Sequence, residues 1–203
     1  IAYTRPDGQI DYLRCDALLL ACNGFGGNSE MVKQYIPEMA DAVYAGHSGN
    51  DGTAIALGTA LGTALADMGA YQGHGSWAVP HGVLISWALM MNGGVQLNSQ
   101  GQRFHDEQQG YSEAAVDVLA QAGGTAWNVF DERILQTARA FPDFVEAEKM
   151  GAIKRCETAQ ALAALIGCAA VDLPSTLTAP YYTVRVTGAL FHTQGGLDID
   201  SQC

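Results

Sequence analysis

The sequence predicts an α+β fold in which one domain is inserted into another. Segments typical of strands occur at both ends of the chain, and the middle mixes short apolar runs with helical patterns. The chain has 203 residues, of which 48% are hydrophobic and 15% are charged, so it is long enough to bury a sizeable core. We expect the inserted domain to span 29–183, between a first segment, 1–28, and a returning segment, 184–203.

The first segment is typical of strands that lead to a glycine-rich turn. A turn at Pro6-Asp7-Gly8 separates two strand-like stretches. Leu18, Leu19 and Leu20 are apolar without alternation, which predicts a strand covered on both faces and ending at "ACNGFGGN". A helix is then expected from Ser29, as its cap, to a break at Pro37.

The middle of the chain predicts helices and hairpins. "NDGTAIALGTALGTALADMGA" has alanine and leucine at helical spacing and predicts a tightly buried helix opened by Asn50 or Asp51. "HGVLISWALMMNGGVQLNSQGQRFHDE" contains Asn-Gly and Gln-Gly turns, which favour a hairpin-rich sheet. Three helices are expected over "SEAAVDVLAQA", "FDERILQTARAF" and "ETAQALAALIGC", the last stopped by Gly167. "APYYTVRVTGALFHTQGGLDID" returns to strand character.

Composition excludes several classes of partner. With 10 Lys and Arg against 21 Asp and Glu, the net charge of −11 disfavours nucleic acid and anionic membrane surfaces. The apolar run "ALLLAC" is far shorter than the roughly 20 residues of a membrane span. The five cysteines form no C-x-x-C pair, so neither a zinc site nor a disulfide framework is indicated. We expect a soluble, cytoplasmic protein, and a start at Ile1 suggests a piece of a longer one.

The residue motifs also limit the chemistry. No H-E-x-x-H pairing is present, so no metal site is predicted, and no G-x-S-x-G elbow supports a serine hydrolase. The glycine turn alone is most often only a tight turn, although glycines also let a backbone approach a ligand closely. In "GQRFHDE", Arg103 and Glu107 lie close enough to form a structural ion pair.

Four ordered segments together resemble one family, the FAD-dependent flavoproteins of the fumarate reductase and succinate dehydrogenase type. This family includes tricarballylate dehydrogenases and 3-ketosteroid Δ1-dehydrogenases. The segments are "LLLACNGFGGNSEMV", "SGNDGTAIALG", "NGGVQLNSQGQRFHDE" and "ALFHTQGGLDID". The resemblance implies that 29–183 is the capping domain that closes over the flavin, and that both flanking segments belong to an incomplete Rossmann-like FAD-binding domain.

The resemblance also implies the residues that contact the FAD cofactor. They are Gly24, Phe25, Gly26, Gly27, Asp51, Gly195 and Gly196. The G-x-G-x-x-G that holds the FAD diphosphate in the family is absent from the sequence, as is the segment with the family's second substrate-binding arginine. We therefore expect the isolated chain to bind FAD poorly.

Substrate-binding roles follow by position from the same resemblance. His74, Ser86 and His192 match the residues that bind a substrate carboxylate in fumarate reductases. Where those enzymes have an arginine proton relay, this chain has Tyr111, Trp87 and Met90. Ketosteroid dehydrogenases offer a tyrosine from this region to abstract a proton, so Tyr111 is either the catalytic base or a residue that only lines the pocket.

The resemblance favours an FAD-dependent dehydrogenase acting on CH–CH groups of a small polycarboxylate, such as tricarballylate, with hydride passing to flavin N5. A ketosteroid-dehydrogenase-like enzyme is the alternative, because Trp87, Met90 and Met91 would suit a flat, apolar ketone. A third possibility is a binding module without chemistry of its own. The electron acceptor is not indicated by the sequence.

Overall fold

The computed structural model describes residues 1–201, so the last two positions of the predicted returning segment lie outside the described residues. The strands are β1 Ala2–Thr4, β2 Ile10–Tyr12, β3 Val43–Tyr44, β4 Leu65–Ala66, β5 Tyr71–Ala78, β6 Val83–Leu84, β7 Val95–Leu97, β8 Thr125–Asp131, β9 Lys154–Cys156, β10 Tyr181–Thr193 and β11 Gly196–Leu197. The helices are α1 Ser29–Tyr35, α2 Thr53–Ala60, α3 Ala88–Met91, α4 Tyr111–Leu119, α5 Glu132–Ala138, α6 Pro142–Lys149 and α7 Ala159–Ile166. Short 3-10 turns lie at Pro37–Met39 and Ala122–Gly124. The fold is thus α+β, as predicted.

The long strand β10 is the centre of the main sheet. The strand order is β6-β5-β10-β8-β7, and β3 and β9 also pair with β10. Among the strands of residues 1–201 that pair with β10, β3 runs parallel to it, and β5, β8 and β9 run antiparallel. The boundary predicted after residue 183 falls inside this unbroken strand, and the division into domains remains a prediction.

The first segment differs from the expectation. β1 and β2 form the predicted hairpin around Pro6-Asp7-Gly8, but the predicted buried strand at Leu18–Leu20 is wrong. These residues have no regular structure, and Leu18 and Leu19 are 50% and 86% exposed. A buried strand needs hydrogen-bonded neighbours and apolar layers on both faces. Within residues 1–201, no strand pairs with this stretch.

The two helices that follow are only partly as predicted. α1 begins at Ser29, but its cap is Asn28, whose side chain accepts a hydrogen bond from Met31 N at 3.1 Å. The helix ends before Pro37, as expected. α2 is neither long nor tightly buried, since it ends at Ala60 and Leu61 is 85% exposed. The rest of its predicted span turns back and forms β4, which pairs with β11.

Later elements follow the sequence pattern more closely. The predicted helices α4, α5 and α7 are confirmed, and α7 runs from its cap Thr158 to Gly167, which has a φ of +89°. Within the stretch predicted to be rich in hairpins, 81–107, β6 and β7 are strands, but they pair with β5 and β8 and not with each other. Ala88–Met91 form one helical turn, so the prediction is wrong there. α6 was not predicted. No helix within residues 1–201 is long and apolar enough to cross a membrane.

Close packing of α4 on the main sheet sets the position of its first residue. A Cβ atom at Gly75 of β5 would lie 2.7 Å from the Ala114 carbonyl carbon. A Cβ at Gly188 of β10 would lie 2.6 Å from Ala115 O. The missing side chains therefore let the helix backbone lie directly on the sheet. This contact places Tyr111, at the start of α4, over β5.

Candidate active site

His74 lies at the centre of a group of aromatic rings. It is on β5, only 6% exposed, and its imidazole stacks on the Tyr111 ring with the centroids 5.1 Å apart and the planes 18° apart. The Trp87 ring meets it edge-on at 5.8 Å, and Phe191 lies 5.9 Å away. The structure therefore brings together the predicted substrate-binding histidine and the predicted catalytic tyrosine.

The protonation of His74 follows from its surroundings. Burial lowers the pKa of His74 to about 4, because desolvation disfavours the charged imidazolium. Its Nδ1 accepts a hydrogen bond from Ser76 N at 3.1 Å, so the proton of the neutral ring lies on Nε2. At neutral pH this histidine is an uncharged hydrogen-bond donor. It can bind a carbonyl or carboxylate oxygen but is not a proton source.

Tyr111 lies at the edge of an open groove. The residue is 40% exposed, and Gln72 Nε2 donates to its hydroxyl at 3.4 Å. The groove has a volume of about 420 Å³ and is lined by Tyr71, Gln72, Gly110, Tyr111, Ser112, Glu113 and Gln194. None of these lining residues is a lysine or an arginine. The donor that faces the phenol is therefore a neutral amide rather than a cation.

His192 lies beside the same groove, whereas Ser86 has a local structural contact. In the pairing of β5 with β10, His192 is opposite Gln72, the residue that reaches Tyr111. Ser86 Oγ accepts a hydrogen bond from Ala88 N at 3.3 Å, just before α3. Its neighbour Trp87 makes the contact with His74. The substrate-binding roles of both residues remain predictions.

Of the three positions that replace the family's arginine relay, two lie against His74 and one does not. Tyr111 and Trp87 both contact His74. Met90 is fully buried in the main core, and Met91 is 57% exposed at the surface. Of the apolar residues expected near a ketone, Trp87 is thus the one placed against His74.

A second, larger pocket lies where the two glycine-rich turns meet. It has a volume of about 560 Å³. Its lining consists of Leu18, Leu19, Leu20, Asn23, Gly24, Ala54, Ile55, Thr193, Gln194, Gly195, Gly196, Leu197 and Ile199. Thr193 Oγ1 accepts a hydrogen bond from Phe25 N at 3.0 Å and joins the first turn to the end of β10. Gln194 lines both this pocket and the groove beside Tyr111, so the two adjoin.

The glycines predicted to contact the flavin differ in what they face. Gly24, Gly195 and Gly196 line the pocket, and a Cβ at Gly196 would meet nothing within 4 Å. A Cβ at Gly24 would instead lie 2.0 Å from Thr193 Oγ1, so this turn can pack against β10 only as glycine. The pocket is therefore lined partly by glycine backbone and partly by apolar side chains.

The other predicted cofactor residues have structural roles within this chain. Phe25 is fully buried in a core cluster. Cβ atoms at Gly26 and Gly27 would meet the Tyr44 ring and Ser48 O. Asp51 Oδ1 accepts from Thr53 N at 2.9 Å, and hydrogen bonds from Thr53 lower the pKa of this exposed carboxyl. Contacts of these four residues with a flavin remain a prediction.

The ion pair predicted between Arg103 and Glu107 is confirmed. Glu107 is 2% exposed, and its Oε1 also accepts from Gln96 N at 2.9 Å. Its carbonyl oxygen accepts from Trp87 Nε1 at 3.2 Å. The pair therefore fixes the loop before α4 and the indole that contacts His74.

Sequence patterns missed a set of buried amides behind the site. Gln96 of β7 and Asn128 of β8 are fully buried and hydrogen-bonded to each other at 2.8 Å. Their only signal in the sequence is an isolated amide within an apolar strand, in "GVQL" and "AWNVF". Gln72, which donates a hydrogen bond to the Tyr111 hydroxyl, was not predicted either.

Comparisons with known proteins place this arrangement in a class. A family described as an FAD binding domain matches residues 2–203. A fumarate reductase (cytochrome) from Shewanella frigidimarina is 28% identical over 213 residues, which cover 94% of this chain and 37% of that protein. An NADH:acrylate oxidoreductase from Vibrio harveyi is 30% identical over 226 residues, covering 91% of this chain and 22% of the relative. The solved open conformation of a flavocytochrome c3 fumarate reductase superposes with a TM-score of 0.71 at 25% identity, covering 89% of this chain and 36% of that chain.

The fold and its glycine-lined pocket are thus those of a flavoprotein. The chain belongs to the FAD binding domain family and is related to fumarate reductases. It spans little more than a third of the length of the first of these relatives. FAD is the cofactor that the family indicates, and the pocket fits a flavin ring, because Gly196 leaves open space and the walls are apolar.

Proposed function

We propose that the complete protein is an FAD-dependent oxidoreductase that dehydrogenates a C–C bond next to a carboxyl group of a small substrate. The observation that carries this proposal is the stack of His74 on Tyr111 beside the glycine-lined pocket. It combines a hydrogen-bond donor and a phenol hydroxyl next to the place where a flavin fits. The donor can bind a carbonyl or carboxylate oxygen of the substrate, which acidifies the neighbouring C–H bond. The tyrosine oxygen can then accept the proton of that bond.

His74 would bind and orient the substrate in this reaction. Its Nε2–H donates to a carboxylate or carbonyl oxygen, and because the ring is neutral it adds no positive charge. The buried aromatic rings around it exclude water and strengthen that hydrogen bond. His192, on the neighbouring strand, would supply a second donor at the groove.

Tyr111 would take the proton from the carbon next to the carbonyl group. An unperturbed phenol has a pKa near 10, so a base of this kind depends on donors that stabilise its oxygen, and Gln72 is one such donor. When bound, FAD supplies the acceptor for the hydride from the adjacent carbon. One hydride and one proton then leave the substrate as a C=C bond forms.

The substrate class we propose first is a small polycarboxylate, such as tricarballylate. Two matched relatives are named for reactions of fumarate and acrylate, which favours a carboxylate. A flat ketone is the second candidate, because the rings around His74 are apolar and no cation lines the groove beside Tyr111. The cytoplasmic location remains a prediction.

The test is anaerobic mixing of the complete, flavin-loaded protein with tricarballylate, succinate, propionate and a 3-ketosteroid. Loss of the oxidised flavin absorbance with a carboxylate is the expected result. Bleaching by the ketosteroid alone would select the second candidate. Reoxidation of chemically reduced protein by fumarate or acrylate would show the reverse direction, and no response in either assay would contradict the proposed reaction.

A further inference from the structure

The strand that carries His74 has an irregular pairing just after it. β5 has two residues, Gly75 and Ser76, where β10 has only Gly188. This is a β-bulge, in which an extra residue interrupts the ladder and re-aims neighbouring groups. The N–H and C=O groups of the peptide unit between Gly75 and Ser76 are hydrogen-bonded to side chains.

Both ends of that peptide unit are hydrogen-bonded to side chains. Its N–H, on Ser76, donates to His74 Nδ1 at 3.1 Å. Its C=O, on Gly75, accepts from Gln96 Nε2 at 2.8 Å. A hydrogen bond to the carbonyl oxygen polarises the amide and strengthens the bond that its N–H donates. Gln96 therefore acts on His74 through one peptide group.

The orientation of the Gln96 amide is fixed by its neighbours. Gly75 O can only accept, so the NH₂ group of Gln96 must face it. The other hydrogen of that group reaches Asn128 Oδ1 at 2.8 Å, and Asn128 Nδ2 in turn donates to Ser76 Oγ. Gln96 Oε1 is left to accept a hydrogen bond.

His105 supplies that hydrogen bond from the far side of the network. Its Nε2 lies 2.8 Å from Gln96 Oε1 and must carry the proton, because this oxygen can only accept. Its Nδ1 lies 3.8 Å from Asp117 Oδ2, and its side chain is 4% exposed. The hydrogen bonds thus form a chain in which His105 donates to Gln96 and Gln96 donates to the peptide unit of the bulge.

We propose that Gln96, oriented by His105, is a positioning residue that holds His74 in its Nε2–H tautomer and aims that donor at the substrate oxygen. Amide groups donate hydrogen bonds but are poor proton carriers, so the network orients His74 and does not relay protons. Its effect on the reaction rests on the proposed function. Its effect on the tautomer of His74 does not.

The test uses Gln96→Met and Gln96→Glu in the complete protein. Methionine has a similar length and no donor, and an ionised glutamate cannot donate to Gly75 O. Gln100→Glu is the matched control, because Gln100 is an exposed glutamine in the loop that follows β7. The ring ¹⁵N NMR signals of His74, assigned with His74→Gln in histidine-labelled protein, report the tautomer.

In the wild-type protein and the control, the ¹⁵N signals should show Nδ1 unprotonated and Nε2 protonated. Both Gln96 variants should show a mixture of tautomers, and KM for the substrate should rise about tenfold with a smaller change in kcat. If Gln96→Met does not fold, Gln96→Glu, which differs by one atom, carries the test. A folded variant with an unchanged His74 spectrum would overturn the proposal, even if no substrate has been found. A shifted spectrum with unchanged KM would overturn only the link to substrate binding.

Discussion

The imidazole of His74 and the phenol of Tyr111 are stacked at 5.1 Å although they come from different elements, a central strand and the first turn of a helix. The contact depends on the close approach of α4 to the sheet, which Gly75 and Gly188 permit. The proposed substrate-binding histidine and the proposed proton acceptor thereby lie in direct contact.

Gly196→Ala should weaken flavin binding without changing the protein's own packing. A methyl group at this position would meet no protein atom within 4 Å, so the folded chain has room for it. In the complete protein, a flavin lying against the backbone would clash with it, and the Kd for FAD should rise about tenfold. Fluorescence titration of the apoprotein measures this. Gly69→Ala, where a Cβ has only Tyr35 O at 3.6 Å, is the control, and equal Kd values for both variants would contradict the assignment.

The stability of the chain should fall on acidification because of His74. Its pKa is 6.5 in the unfolded chain and about 4 in the folded one, so between these values the unfolded state binds the proton first. The free energy of unfolding should be about 2 kcal/mol lower at pH 5 than at pH 7 from this group. His105, whose pKa is also lowered by burial, acts in the same direction. Urea unfolding at both pH values should show a smaller difference in His74→Gln, while exposed His47→Gln keeps the full difference. An unchanged difference in His74→Gln would refute the neutral, buried histidine.

Arg103→Gln should destabilise the loop before α4. It leaves the carboxylate of Glu107, which is 2% exposed, without its cation. We expect a loss of about 2 kcal/mol in the free energy of unfolding, since a buried charge without a partner is costly. Arg155→Gln breaks the exposed pair with Glu157 and should cost less than about 1 kcal/mol. Denaturant titration compares the two, and equal losses would show that the buried pair has no special structural role.

Local sequence patterns predicted the helices that are defined by residue spacing and capping residues. The amphipathic spacing and the caps Thr158 and Gly167 were enough to place α7. The exposure of Leu18 and Leu19 could not be predicted in this way, because burial of a segment depends on neighbouring strands rather than on the segment itself. The same limit made α2 look more buried than it is.

The candidate site could be predicted only in part from the sequence. Resemblance to a family singled out His74 and Tyr111, but their stacking and the neutral state of His74 come from burial in the fold. Gln96 was missed because a buried amide in a short strand matches no motif. Its importance arises from the bulge at Gly75, which depends on the pairing of two strands distant in sequence.

The most direct test of the account is the rate of flavin reduction in Tyr111→Phe. The variant keeps the ring that stacks on His74 and loses only the hydroxyl, so flavin and substrate binding should be retained. The matched control is Tyr71→Phe, at a residue that also lines the groove. The pKa of the Tyr71 hydroxyl is raised to about 12, mainly by burial and then by Glu38. In anaerobic stopped-flow mixing with the substrate, we predict that flavin reduction slows at least about 100-fold in Tyr111→Phe and changes little in Tyr71→Phe. Reduction of the Tyr111→Phe flavin at the wild-type rate would contradict the role of this phenol as the proton acceptor.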